Sequence, residues 1–150
     1  MWQNYHSVIS VDETTRILAN EGAKARIIAG ATDLMLEMER GVRKGIKTLI
    51  DVTRIPGLDQ IKYNGSLSIG PMVTHRAIEK SEVIRKYFSA LTDAADCLGS
   101  VQIRNVATIG GNLCTAAPSA DTATPLLVLG TQVTIKNPKE ERTLPVEQFF

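Results

Sequence analysis

Apolar and polar positions alternate in two different periods along this chain. Ile61, Tyr63, Leu67 and Ile69 repeat every second residue on either side of Asn64-Gly65. That pattern predicts a β-hairpin over 60–70 closed by a type I′ turn. Leu91, Ala94, Ala95 and Leu98 recur at steps of three and four, which predicts a helix over 89–98. Ser10 with Glu13 has the spacing of a capping box, so a helix opens there, turns Ile17, Leu18 and Ala19 inward, and stops at Gly22. Ala25 to Ala29 reads as a short strand, Leu34 to Glu39 as a helix, Thr48 to Val52 as a buried strand, and Val133 to Ile135 as a last strand. Thr74 and Ser81 open short helices, and Pro118, Ser119 and Asp121 prepare one that runs to Leu129 with a kink at Pro125. Leu144 to Phe150 forms an apolar tail without a visible partner, which suggests that the natural polypeptide continues.

Mixed short strands and helices with no repeat or linker describe an α+β domain over 1–150, with room for two small α/β lobes. Seventeen Lys and Arg against sixteen Asp and Glu give a net charge of +1, too little for a general grip on nucleic acid. No apolar run is long enough for a transmembrane segment, and the N-terminus lacks a signal-peptide pattern, so a cytoplasmic protein is expected. Cys97 and Cys114 are too few for a zinc or iron–sulfur site within the chain, and are read as reduced, partly buried thiols. His6 and His75 stand alone and are read as surface or capping residues.

Chemistry concentrates in two glycine-bearing segments. Ile27-Ile28-Ala29-Gly30-Ala31-Thr32-Asp33-Leu34 joins a strand to a helix, and Thr108-Ile109-Gly110-Gly111-Asn112 forms a second loop. Small residues allow a backbone to approach a ligand, and successive N–H groups can surround an anion. Taken singly, each is also an ordinary turn. Neither is a GxGxxG fingerprint or a P-loop.

Together these segments resemble the FAD-binding (medium) subunit of the molybdenum hydroxylases, the xanthine dehydrogenase and carbon monoxide dehydrogenase type, in its N-terminal portion. Ala29 to Leu34 resembles the family's AGGTDL loop, Arg104 to Asn112 its RNxATIGGN loop, and the likeness extends through Ala117 to Asp121. The resemblance implies the FAD-binding architecture of the vanillyl-alcohol oxidase/PCMH type, truncated at its C-terminus. It implies FAD contacts at Ile27, Ile28, Ala29, Gly30, Ala31, Thr32, Asp33 and Leu34, and at Thr108, Ile109, Gly110, Gly111 and Asn112. Asp121 and Leu98 match further contact positions. Asp121 also reads as a helix-start carboxylate and Leu98 as core. Ala31 stands where the family often has glycine, so the loop either keeps a negative φ or carries strain.

By the same resemblance this is a flavoprotein electron-transfer subunit with no catalytic side chain or metal of its own. Electrons would come from [2Fe-2S] clusters in an iron–sulfur small subunit, after oxidation at a molybdenum–pterin centre in a large subunit, and pass through FAD to NAD+ or another acceptor. Two alternatives are an assembly module that has lost FAD through truncation, and a stand-alone flavin reductase of the cell-wall-precursor type. Bulk at Gly110 or Gly111 is expected to weaken FAD binding more than folding.

Overall fold

The computed structural model describes residues 2–117 and 120–150. Its contacts divide into two compact units, 1–56 with 134–143, and 57–133 with 144–150.

The first unit is built on a parallel sheet. β1 (Asn4–Ser7) leads through α1 (Val11–Glu21) to β2 (Ala25–Ile28), and α2 (Leu34–Glu39) leads on to β3 (Thr48–Asp51). The sheet order is β1-β3-β2, with both outer strands parallel to β3. β3 has neighbours on both sides, which is why Thr48, Leu49 and Ile50 are buried. Val8, Ala25, Ile46 and Val52 complete the apolar interior here. Ser10 caps α1, its Oγ accepting from Glu13 N at 3.2 Å, while Glu13 reaches back to Ile9 N. Gly22 ends the helix at φ 56°. The buried residues of α1 are Thr14 and Thr15; Ile17 and Leu18 are half-buried, and Ala19, expected inward with them, is exposed. Both hydroxyls return to helix carbonyls, Thr14 to Ser10 and Thr15 to Asp12, so their polarity is satisfied inside.

The second unit opens with β4 (Ile61–Tyr63) and β5 (Leu67–Ile69), an antiparallel pair. Tyr63 pairs with Leu67, so three residues close the hairpin rather than two. Gly65 takes φ 94° but Asn64 stays at negative φ, which excludes the expected type I′ turn. Six short helices follow: α3 (His75–Lys80), α4 (Glu82–Tyr87), α5 (Ser89–Cys97), α6 (Val101–Val106), α7 (Ile109–Thr115) and α8 (Ala123–Val128). Thr74, Ser81, Ser100 and Thr108 cap four of them, each accepting the N–H three residues on. Pro125 is the third residue of α8, where its missing N–H costs nothing, so the helix begins around it instead of kinking. Pro118 and Ser119, expected to prepare this helix, lie outside the described residues.

β6 (Gln132–Lys136) and β7 (Glu141–Pro145) form a two-stranded sheet. β7 was not legible from the sequence. Its last residues lead Val146 into the second core at 0% exposure, beside Val73, Ile78, Ile84, Leu91, Ile109, Leu113 and Leu126, with Phe149 packed against them. The terminal apolar stretch thus has a partner within the chain.

Candidate functional site

Ile28 pairs with Asp51, so the 29–34 loop leaves the carboxyl edge of the parallel sheet. That edge is where open α/β sheets place ligands. Ala31 takes φ 57°, the left-handed region that disfavours a Cβ. The strained alternative therefore holds. Among the described residues, the loop is tied down through its carbonyls by Met35 N to Ala31 O, at 3.1 Å, and Glu37 N to Asp33 O, at 2.9 Å. The backbone N–H groups of Gly30, Ala31, Thr32, Asp33 and Leu34 donate to no acceptor among the described residues. These residues are at least partly exposed, and Ile27 is 43% exposed. A run of free, accessible donors on a bent backbone suits an oxygen-rich anion.

The second segment is built differently. Thr108 is the N-cap of α7, and Ile109 to Asn112 form its first turn, so the expected loop is mostly helix. Its N–H groups are engaged. Ile109 donates to Val73 O and Gly110 to Pro71 O, both at 3.0 Å; Gly111 donates to Thr108 Oγ1 at 3.1 Å and Asn112 to Thr108 O at 2.9 Å. An isolated antiparallel bridge, Thr74 with Thr108, secures the same place. Ile109 is buried and belongs to the core. A Cβ on Gly110 would lie 2.7 Å from Pro71 O and one on Gly111 3.0 Å from Thr108 Oγ1. These glycines serve close packing, which revises the expectation that bulk there weakens binding more than folding. What the segment leaves toward solvent is its bare glycine backbone and the half-buried Asn112 side chain. Thr122, fully buried, donates from Oγ1 to Asn112 Oδ1 at 2.6 Å. Asp121 is exposed and Leu98 partly buried.

The structure gives three residues near this segment surroundings that the sequence did not show. His75 is a correction: it is fully buried, not superficial, and neither ring nitrogen has a hydrogen-bond partner among the described residues. Burial holds its pKa below the ordinary value, opposed by the Asp121 charge. Arg104 is the only buried residue of α6. Its guanidinium donates to Glu79 Oε2 (3.2 Å), Leu98 O (3.3 Å), Gly99 O (3.1 Å) and Asp96 Oδ1 (3.3 Å). Arg76 donates to the other Glu79 oxygen, and this bond comes first among the causes that hold the Glu79 carboxyl below its usual range. Arg104, which the sequence presents as part of a cofactor motif, thus fastens α6 by its polar end. Thr122 is the third. A buried hydroxyl leaves no sequence signature beyond an ordinary threonine.

Both cysteines are free and exposed. Among the described residues no helix is long and apolar enough to cross a membrane.

The sequence matches, over residues 2–150, the family described as "FAD binding domain in molybdopterin dehydrogenase". The chain belongs to that family. It is 31% identical over 148 residues to the xanthine dehydrogenase FAD-binding subunit of Escherichia coli O157:H7, covering 97% of this chain and 50% of the relative. It is 30% identical over 147 residues to the carbon monoxide dehydrogenase medium chain of Hydrogenophaga pseudoflava, covering 97% and 51%. A solved carbon monoxide dehydrogenase from Hydrogenophaga pseudoflava, lacking the Mo-pyranopterin moiety, superposes with a TM-score of 0.93 at 28% identity, over 98% of this chain and 51% of that one. The chain spans about half the length of the curated relatives it matches. The fold expectation, an α+β FAD-binding domain of this family, is met.

Proposed function

We propose that this chain is the FAD-gripping part of an oxidoreductase subunit, the flavoprotein component of a molybdenum hydroxylase. The observation that carries this reading is the run of free N–H groups from Gly30 to Leu34 at the carboxyl edge of a parallel sheet. FAD, when bound, supplies an isoalloxazine that accepts and passes on electrons. The residues of this chain hold and orient. Gly30 to Leu34 donate backbone hydrogen bonds to the diphosphate oxygens, and the small Gly30 and Ala31 let the phosphates come close. Ile27, Ile28 and Ala29 lead the backbone there. Thr108 to Asn112 act as the second contact through the bare glycines and the Asn112 amide. Asp121 accepts hydrogen bonds from cofactor hydroxyls, and Leu98 is a peripheral apolar contact.

The reading carries partners as well: a molybdenum-binding large subunit, an iron–sulfur small subunit, and NAD+ or another acceptor. The names of the relatives support it, since several are subunits or medium chains of dehydrogenases. It also carries a cytoplasmic location, in keeping with two free surface thiols.

Equilibrium dialysis of the purified chain against FAD, with visible absorbance of the retained protein, tests the reading. Saturable binding with a flavin spectrum is expected; a folded chain that retains no flavin overturns it. One observation favours the assembly-module alternative. The N–H groups of Ile109 to Asn112 are all engaged by the fold, so the second contact offers fewer donors than an anion cradle. Co-purification with the large and iron–sulfur subunits without flavin would establish that alternative.

A further inference from the structure

The second glycine segment has no free N–H group from Ile109 to Asn112, because Val73, Pro71 and Thr108 already accept them. Its available polar group is the Asn112 side chain, a carboxamide with an acceptor end and a donor end. In the structure Oδ1 is the end turned to its neighbour. Thr122 is 0% exposed, and its hydroxyl donates to Asn112 Oδ1 at 2.6 Å. Oδ1 is thus engaged, while the two N–H bonds of Nδ2 have no acceptor among the described residues.

We infer that Thr122 is a positioning residue that makes Asn112 a donor, so that this segment selects an acceptor-rich, anionic group such as a diphosphate. The inference rests on the FAD reading and goes beyond it, since it assigns a role to a residue that cannot itself touch the cofactor. Thr122 precedes α8, and its carbonyl also accepts from Leu126 N at 3.2 Å, so its backbone is fixed at both the helix start and the amide contact. Replacing it by valine keeps the shape and removes the hydroxyl. The Asn112 amide then loses the bond that orients it, and either end can face outward.

The test compares wild type, Thr122→Val, Thr122→Ser and Asn112→Asp, each checked for native far-UV circular dichroism. FAD is titrated by fluorescence quenching, and the Asn112 side-chain NH2 resonance is followed by NMR. Thr122→Val is expected to raise the FAD dissociation constant about tenfold, the size of one lost charge-assisted hydrogen bond. Thr122→Ser is expected to restore binding and the FAD-induced shift of the Asn112 resonance. Asn112→Asp keeps the acceptor for Thr122 but removes the donor, so it is expected to lose at least as much. Thr122→Ala, which also removes the hydroxyl, carries the test if the valine variant does not fold. Wild type that binds no FAD overturns the functional reading and this inference with it. Wild type that binds, beside a folded Thr122→Val or Asn112→Asp that binds equally, overturns the inference alone.

Discussion

Gly110 lies so close to Pro71 that a Cβ would sit 2.7 Å from the proline carbonyl oxygen and 2.7 Å from its Cβ. The neighbour is backbone, which cannot swing aside. Gly110→Ala is therefore expected to destabilise the fold by about 1–3 kcal/mol, the usual cost of overpacking. Urea unfolding of the two proteins measures it, and equal midpoints would show that the segment yields freely.

Ala31 invites the opposite substitution. Its φ of 57° strains an L-residue, and glycine relieves that strain while adding freedom to the unfolded chain. The balance predicts that Ala31→Gly stabilises by up to about 1 kcal/mol. Ala116, at φ 50° after α7, is expected to respond in the same direction. Thermal melts of both variants give the sign; a lower melting temperature for either would contradict the strain argument.

His75 makes acid destabilising. Its folded-state pKa lies below the open-chain value of about 6.5, because burial disfavours the imidazolium. The unfolded chain therefore takes up the proton first as pH falls. Stability should begin to drop near pH 6.5 and go on dropping until the folded-state group titrates as well. His75→Leu is expected to flatten the part of the pH profile that begins near the open-chain value of about 6.5. Glu79 and Asp51, whose pKa values are lowered, lose their contribution only further down, in the carboxylate range. Denaturant midpoints at successive pH values separate the two regions.

Arg104→Lys tests how α6 is held. One ammonium cannot reach Glu79, Asp96 and the Leu98 and Gly99 carbonyls together, as the guanidinium does. With Val101, Ile103 and Val106 all exposed, no apolar face compensates. Faster amide hydrogen exchange across 101–107 is expected in the lysine variant, and unchanged protection would mean that the backbone bonds at 107–110 suffice.

Much of the fold was legible because local chemistry and tertiary structure agree. Ser10, Thr74 and Ser81 cap helices as their types and spacing demand. The strand around Ile27, the helix from Leu34 and the strand from Thr48 lie where the apolar pattern put them. Where tertiary context ruled, the reading failed. His75 is polar by type and buried by neighbours, β7 has little apolar alternation, and the most buried residues of α1 are two threonines. The first glycine segment could be read as a loop with free donors because its neighbours stay away. The second could not, since only packing reveals that Pro71, Val73 and Thr108 take its N–H groups.

The strand order β1-β3-β2 bears on how the chain assembles as it is made. Neither outer strand pairs with the other; each waits for Thr48 to Asp51. On a ribosome the first glycine turn thus emerges well before the element that anchors its base. It takes its working shape only once about twenty further residues have been synthesised, a delay of seconds at ordinary translation speed.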